Sequence, residues 1–390
     1  MFKKLFRKTP LAWLQLKREK TRLAVALAGI AFADILMFFQ LGLLEALFDS
    51  VAKPYSTLQG DLFIIDPLFE SLMVIRSFPR DRLYQAAGVQ GVESVDYMYI
   101  DQGEWRNPQT LKNQATMVFA IDPDTSSMSL PDVRSHLNEL KLLNRILYDR
   151  AGQASLFGDI TEQLQRYPSV PIQFNDIQTQ VVGTFVLGAS FTANGNIITS
   201  HSTFLHLFPK RDRDEIDIGI IKLKPGTDIK RVQSTMRSTF DDVLILTYDE
   251  FVKHEKQYWE TTSPIGFLFG FGAAIGFVVG TVIVYQILYS DVSDHLPEYA
   301  TLKAMGYGDR YLMGVLIQES LIMAVLGFIP GFAISLGLYH IATAVTFIPV
   351  TMSVNRATLV LTLTIVMCVA SGGIAMRKLQ AADPADIFGV

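Results

Sequence analysis

Few residues of this chain have the types and the spacing that catalysis or metal binding requires. The six histidines are scattered, and His201 and His206, five residues apart, do not share one face of a helix. A zinc site needs three or four convergent ligands, so we predict no metal site. The sequence contains no Gly-Lys dipeptide, hence no P-loop motif, and no G-x-S-x-G motif. We expect a non-catalytic chain without a metal or cofactor of its own.

Asp34 and Glu319 lie well inside apolar stretches, where a charge is costly. Asp34 is halfway along the apolar run 23–48, and Glu319 lies in the run 312–347. An ionised carboxylate in the middle of a membrane costs roughly 2.5 to 3.5 kcal/mol. Asp34 could serve a proton relay or an interhelix contact, or it could be a protonated or hydrogen-bonded carboxyl. The second interpretation is favoured because no other acid lies near Asp34 in the sequence.

Four long apolar segments must hold these acids in place. The 390-residue chain is 49% hydrophobic and only 18% charged, at the apolar limit of soluble proteins. The first segment would form a helix ~39 Å long, which exceeds a ~30 Å hydrocarbon core and the ~7 to 15 apolar residues of a cleaved signal peptide. We predict four transmembrane helices, at residues 23–48, 263–288, 312–347 and 357–376.

One proline and several glycines shape the second and third of these helices. The third segment would be ~54 Å long if straight, so Pro330 and Gly331 predict a kink, followed by an outer shoulder at 340–347. The second segment has glycines at four-residue spacing, which lets helix backbones approach closely. We expect helix packing or a dimer contact at Gly266, Gly270, Gly272, Gly276 and Gly280.

The charges are distributed unevenly and predict an orientation. Residues 1–22 form a basic segment with eight Lys or Arg and one acid, whereas residues 49–262 hold 21 basic and 28 acidic side chains. Lys and Arg also occur in the 289–311 loop and in the tail at 377–390. By the positive-inside rule, both termini and the 289–311 loop face the cytoplasm, and residues 49–262 lie outside.

Residues 49–262 have the pattern of a folded α+β domain. Strand-like runs at 61–65 and 94–100 flank a helical stretch, and a strand, a helix and a strand follow one another again from 216 to 247. The turn-rich region at about 125–210 separates the two halves, so we interpret it as an insert. The fold class is therefore an α-helical membrane protein with four transmembrane helices and a large α+β domain between helices 1 and 2.

The loop between the second and third helices carries a recognisable motif. Its sequence PEYATLKAMGYG predicts a short amphipathic helix from Glu298 to Met305 that stops at Gly306. It resembles the coupling helix of the MacB/FtsX family of ABC transporter permeases, where a pattern like E-(Y/F)-(A/G)-x-(L/M)-(K/R)-A-(I/M/L)-G precedes a membrane helix. The tail, with Arg377, Lys378 and then DPADI, is similar as well. The resemblance implies contact with an ATPase through Glu298, Tyr299, Ala300, Leu302, Lys303, Ala304, Met305, Gly306 and Tyr307.

Within that family, residues 10–50, 58–67 and 91–105 are similar to DevC-type permeases of cyanobacterial glycolipid exporters. The resemblance implies a MacB-like periplasmic porter domain with an inserted subdomain, and a homodimeric permease subunit of a tripartite system in the inner membrane. The cargo would be a (glyco)lipid or another hydrophobic substrate. The implied partners are a DevA-like ABC ATPase that binds ATP and Mg, a DevB-like membrane-fusion adaptor, a TolC-like outer-membrane channel and membrane lipids, without nucleic acid.

Two other functions stay open at this point. One is FtsX-like signalling that activates a periplasmic partner, and the other is release of lipoproteins to a soluble carrier. The 214 residues from 49 to 262 are large for an FtsX-type domain and favour docking to an adaptor. Because no polar stripe marks a pore, we expect the cargo to be taken from the outer leaflet or the periplasm, and not through the four helices.

Overall fold

The computed structural model describes residues 20–125, 127–190 and 193–381, with side chains described as far as Met376. Its helices and strands divide between two compact units. The elements, in chain order, are α1 (Lys20–Ala52), β1 (Leu62–Ile65), β2 (Phe78–Pro79), α2 (Asp81–Ala87), β3 (Val92–Arg106), β4 (Asn113–Ile121), α3 (Pro131–Arg134), α4 (Leu137–Leu140), β5 (Arg145–Asp149), α5 (Ala154–Phe157), α6 (Ile160–Leu164), β6 (Val170–Phe174), β7 (Ile177–Phe185), β8 (Asn196–Ser200), α7 (His201–Leu207), β9 (Glu215–Ile216), β10 (Ile218–Leu223), α8 (Ile229–Thr239), β11 (Leu244–Thr247), α9 (Tyr248–Gln257), α10 (Pro264–Asp294), α11 (Leu296–Ala304), α12 (Asp309–Thr346) and α13 (Val354–Ala381).

The helical unit contains the described residues up to Glu45, Gly266–Thr343 and those from Val350 onward. Its long helices α1, α10, α12 and α13 are each long and apolar enough to cross a membrane. Apolar side chains from all four helices pack together, while many others face outward, as expected of helices surrounded by lipid. The four long apolar segments of the sequence therefore correspond to these four helices.

Helix α12 continues as one helix through Pro330 and ends at Thr346, followed by Phe347 with a φ of +60°. At 38 residues it is ~57 Å long, far more than a hydrocarbon core requires. Gly331 marks the close approach of α12 to α1, since a Cβ there would lie 2.9 Å from the Cβ of Asp34 and 3.2 Å from the carbonyl oxygen of Ala31. The predicted kink site is thus also a helix contact that requires a small residue.

The sheet unit comprises Ala46–Ile265 and Ala344–Pro349. Half of it follows a β-α-β-β-α-β path through β1, α2, β3, β10, α8 and β11, and these strands pair in the order β11-β1-β10-β3. This is the ferredoxin-like arrangement, in which two βαβ halves interleave. Asp228 caps α8 by accepting hydrogen bonds from the backbone N–H groups of Lys230 and Arg231, and the buried Val232 and Met236 on one face pack the helix on the sheet.

The other half of the sheet unit is a closed ring of strands inserted between β3 and β10. Strand β3 is 15 residues long, so its second part leaves the first sheet and pairs with β4. The ring then continues through β8, β5, β7 and β6, and β6 returns to β3 where Trp105 pairs with Phe174. The predicted insert at about 125–210 contains β5 to β8, and β4 joins it in the ring. Trp105 is fully buried and packs on Tyr148 and Phe157.

Candidate functional site

The candidate site is the exposed surface formed by α11 and the turn that follows it, which we call the coupling surface. Helix α11 ends in a Schellman motif, in which Tyr307 N–H donates to Leu302 O at 3.0 Å and Gly306 N–H donates to Lys303 O at 2.9 Å. Gly306 has a φ of +89°, a left-handed conformation that a residue with a Cβ adopts only with strain. The glycine of the sequence motif therefore ends the helix sharply and starts the turn into α12.

The motif residues divide into an inward and an outward set. Tyr299 and Ala300 are buried, and Tyr299 joins a core that includes Leu312 and Leu316 of α12. Leu302 and Lys303 are half-buried. The exposed residues of the predicted ATPase contact are Glu298, Ala304, Met305, Gly306 and Tyr307. A partner protein can therefore touch only part of the motif, because the rest anchors α11 to the helical unit.

Apolar and aromatic side chains dominate the outward set. Met305 is 62% exposed and Tyr307 is 43% exposed. The ring of Tyr307 packs against that of Tyr311, at the start of α12, with centroids 4.8 Å apart. Exposed Met and Tyr side chains are typical of protein interfaces because they offer large contact areas with few polar groups to desolvate. Glu298 adds a charge beside this apolar patch.

Charged residues brace the coupling surface on both sides. Lys303 Nζ lies 3.0 Å from Asp309 Oδ1, so an ion pair spans the turn between α11 and α12. Arg22 of α1 contacts the end of α10, where it donates to Ser290 Oγ at 2.7 Å and pairs with Asp291 and Asp294. His295 Nδ1 lies 3.1 Å from the carbonyl oxygen of Asp291. The sequence motif did not reveal Arg22 or Asp291, because the two are 269 positions apart.

Comparison with known families decides what this region is. Residues 270–384 match the model of the family described as FtsX-like permease C-terminal. This region is an FtsX-like permease domain. It contains α11, α12, α13 and most of α10, and together with the membrane-capable α1 it makes the chain a multi-pass membrane protein. No curated protein sequence matches the chain.

Solved structures resemble the chain only weakly. The periplasmic region of MacB from Actinobacillus actinomycetemcomitans aligns with 50% of this chain and 92% of its own, at 13% identity and a TM-score of 0.35. The extracellular domain of the noncanonic ABC-type transporter YknZ from Gram-positive bacteria aligns with 48% of this chain and 99% of its own, at 13% identity and a TM-score of 0.32.

The five glycines of α10 lie in different surroundings. A Cβ on Gly276 would lie 3.2 Å from the Cβ of Leu36, and one on Gly280 would lie 2.5 Å from the Cβ of Ala33, so both face α1. Gly272 also faces α1, at Gln40. Gly270 is exposed, with no atom within 4 Å of such a Cβ, and Gly266 is half-buried in the first turn. The structure thus places three of the five predicted glycines against α1.

The two intramembrane acids lie apart from the coupling surface. Asp34 is fully buried, and its Oδ1 lies 2.5 Å from Oγ1 of Thr364 on α13. Glu319 of α12 is 1% exposed. The Thr364 hydroxyl also lies 2.8 Å from the carbonyl oxygen of Val360. Asp34 therefore makes a hydrogen-bonded contact between α1 and α13.

A buried arginine joins three helices at the other end of the helical unit. Arg356 at the start of α13 is 5% exposed, and its Nε donates to Glu45 of α1 at 3.0 Å. Its Nη1 lies 3.1 Å from the hydroxyl of Tyr339 on α12, and that hydroxyl donates to the carbonyl oxygen of Phe38 at 2.5 Å. The amino-acid sequence does not predict this contact, since Glu45 and Arg356 are 311 positions apart.

Within the described residues, no group of three or more His, Cys, Asp or Glu is placed to hold a metal ion. His201 and His206 of α7 point to different partners. His201 Nε2 lies 3.1 Å from the carbonyl oxygen of Tyr97, whereas His206 Nδ1 lies 2.6 Å from the side-chain oxygen of Asn144. Both histidines therefore serve local packing and hydrogen bonding.

Proposed function

We propose that the chain is the permease subunit of an ABC-type export system and that a separate ATPase subunit binds the coupling surface. The observation that supports this most directly is the division of α11 into an anchored face and an exposed face within an FtsX-like permease domain. A helix of nine residues is marginal on its own, so its shape depends on packing through Tyr299 and Ala300. The same packing lets a displacement of α11 reach α12.

The turn after α11 makes the connection between α11 and α12 rigid. The Schellman motif at Gly306 and the ion pair between Lys303 and Asp309 both tie α11 to α12 within a few residues. The Arg22 contacts tie the end of α10 to α1. A force applied at Met305 or Tyr307 would therefore displace several long helices together instead of bending a flexible loop.

We further propose the arrangement of the whole system. Both termini and the coupling surface face the cytoplasm, and the sheet unit lies in the periplasm on the far side of the inner membrane. The ATPase supplies the ATP and Mg sites, a membrane-fusion adaptor and a TolC-like channel complete the path to the outside, and two copies of the chain pair. The cargo is a (glyco)lipid or another hydrophobic molecule, taken from the outer leaflet or the periplasm.

Co-purification of the tagged full chain from its native membrane tests this proposal, with bound proteins and lipids identified by mass spectrometry. An ATPase together with an adaptor and an outer-membrane channel is the expected result. An ATPase with a peptidoglycan hydrolase or sensor would indicate signalling instead, and a soluble lipid-binding carrier without a channel would indicate lipoprotein release. Absence of any ATPase would contradict the proposal.

The coupling surface is tested by a charge placed in its apolar patch. Met305→Glu should weaken capture of the ATPase by about tenfold or more, the scale of losing one interface anchor. Leu142→Glu is the matched control, because Leu142 is exposed to a similar extent, 57% against 62%, and lies in the sheet unit. Equal capture by both variants would exclude Met305 from the contact.

A further inference from the structure

The chain has two connections to the sheet unit. It enters from α1, whose last residues lead into a short turn at Tyr55–Thr57. It leaves through α9 and a π-helical turn at Tyr258–Thr262, after which α10 begins at Pro264. Turns of π-helix are rare and occur frequently at functional positions. Every residue of both connections from Ala46 to Ile265 belongs to the sheet unit, so their contacts lie within one compact body.

One carboxylate lies between the two connections. Glu255 of α9 is fully buried. Its Oε2 accepts hydrogen bonds from the hydroxyl of Tyr55 at 2.5 Å and from the backbone N–H of Leu72 at 3.1 Å. Its Oε1 accepts a hydrogen bond from Nε1 of Trp259, in the π-helical turn, at 2.9 Å. A single side chain thus joins the entering connection, the leaving connection and the loop at residue 72.

Neighbouring contacts support the same junction. The ring of Tyr55 packs on that of Phe251 with centroids 4.4 Å apart, and Lys256 Nζ lies 3.7 Å from Asp49 Oδ1 at the end of α1. His254 Nε2 donates to the carbonyl oxygen of Phe69 at 2.6 Å. The nearby cation Lys256 is engaged with Asp49 and not with Glu255. The buried carboxylate is therefore held by neutral donors.

Such an arrangement is an expensive way to stabilise a fold. A buried charge without a cation loses its hydration, and apolar side chains of similar volume often stabilise a core at least as well. Hydrogen bonds to an ionised acceptor are stronger and more directional than apolar contacts. A carboxylate at this position fixes how two backbone segments are placed relative to each other. Apolar packing alone would define this placement less precisely.

We propose that Glu255 is a positioning residue that locks the entering and leaving connections together, so that movements of α1 and α10 reach the sheet unit as one displacement. The proposal rests on the proposed function, in which motion of the helical unit drives the sheet unit. Without the lock, α1 and α10 could shift separately, and part of the motion would be lost as sliding between the two connections.

Cross-linking tests the lock itself without any partner protein. The full chain carries Asp49→Cys and Lys256→Cys, in a Cys368→Ala background because Cys368 is the chain's only cysteine. A short bifunctional maleimide is applied to membranes, and the rate of cross-linking is followed. Adding Glu255→Ala removes all three hydrogen bonds of the carboxylate and should lower the rate by about tenfold or more, since losing even one hydrogen bond to a charged group is on this scale. Tyr55→Phe removes one donor and keeps the ring, so it should have a smaller effect.

The coupling role is tested by the ratio of substrate molecules transported to ATP molecules hydrolysed. This ratio is measured with the partner ATPase present. Glu255→Ala should keep the ATPase activity and lower this ratio severalfold, while Tyr55→Phe should lower it less. Burial raises the pKa of Glu255 to about 7. The ratio should therefore change with pH near neutrality in the unmodified chain and stay flat in Glu255→Gln. A merely structural role would not produce this pH profile.

Asp149→Asn is the matched control. Asp149 is an equally buried carboxylate in the ring of strands, and it accepts hydrogen bonds from the N–H groups of Leu187 at 3.0 Å and Gly188 at 2.7 Å. This variant should destabilise the sheet unit and leave both readouts unchanged. Unaltered cross-linking in Glu255→Ala would overturn the proposal, as would an unaltered transport ratio. If no ATPase acts with the chain, the proposed function fails, while the cross-linking result still decides whether the lock exists.

Discussion

Buried polar side chains tie together residues that are far apart in the sequence. Arg356 joins Glu45 and Tyr339, and Glu255 joins Tyr55 and Trp259. Breaking such a contact on one side is costly because the other group stays buried without its partner. These contacts therefore fix geometry at a few points of a mainly apolar molecule.

The Arg356 contact gives a prediction at this scale. Glu45→Gln keeps the size of the side chain but removes its charge, and it leaves Arg356 buried with only neutral acceptors. We expect a loss of about 2 kcal/mol or more in the free energy of unfolding. Glu93→Gln is the control, because Glu93 is exposed in the sheet unit. Thermal unfolding of the full chain in detergent measures both, and equal melting temperatures would contradict the prediction.

His201 gives a prediction about pH. Burial lowers the pKa of His201 to about 4 because the imidazolium form would lose its hydration, although the nearby Asp122 acts in the opposite direction. The unfolded chain, with an ordinary histidine pKa of about 6.5, binds this proton more readily. The stability contributed by neutral His201 is therefore present above about pH 6.5 and is lost as the pH falls toward about 4.

Substitution of this histidine should flatten the acid side of the stability profile. His201→Gln cannot take up the proton. Between about pH 6.5 and 4, its free energy of unfolding should therefore fall by about 2 kcal/mol less than that of the unmodified chain. Unfolding in urea, followed by tryptophan fluorescence at several pH values, measures this difference. His206→Gln, on the exposed side of the same helix, should keep the original profile.

At the scale of elements, short-range pattern predicted most of what the structure contains. The four long helices follow from runs of apolar residues, and α8 follows from the strand, helix and strand patterns between 216 and 247, because both signals are local in sequence. The ring closure at Trp105 and Phe174 could not be predicted in this way, since it depends on strands that meet only after the chain has folded. The inward position of Tyr299 was missed for the same reason, as the motif letters carry no information on burial.

The end of α11 gives a prediction at this scale. Gly306→Ala places a Cβ at a φ of +89° and should destabilise the turn by about 1 kcal/mol. The coupling surface would then lose part of its fixed shape, so ATPase capture should weaken severalfold without a change in expression. Gly308→Ala is the control, because nothing lies within 4 Å of a Cβ there and no positive φ is involved. Equal capture by both variants would show that the shape of this turn is unimportant.

The whole molecule divides into a helical unit and a sheet unit. The proposed orientation assigns the coupling surface to the cytoplasm and the sheet unit to the periplasm. Single cysteines in the Cys368→Ala background test this assignment. Met305→Cys should react with a membrane-impermeant maleimide only after the cytoplasmic side is opened, whereas Leu142→Cys should react in intact spheroplasts. Both residues are largely exposed, so access depends on the side of the membrane. The reverse pattern would invert the topology.

The ring of strands also limits how another protein can join the sheet unit. Each of β4, β5, β6, β7 and β8 has a paired neighbour on both sides, whereas β11 at the end of the sheet has only β1. An extended peptide can add to a sheet only where backbone N–H and C=O groups are free along an edge. A partner protein that meets the ring must therefore recognise mainly its loops and side chains, and these paired strands offer little free edge for aggregation.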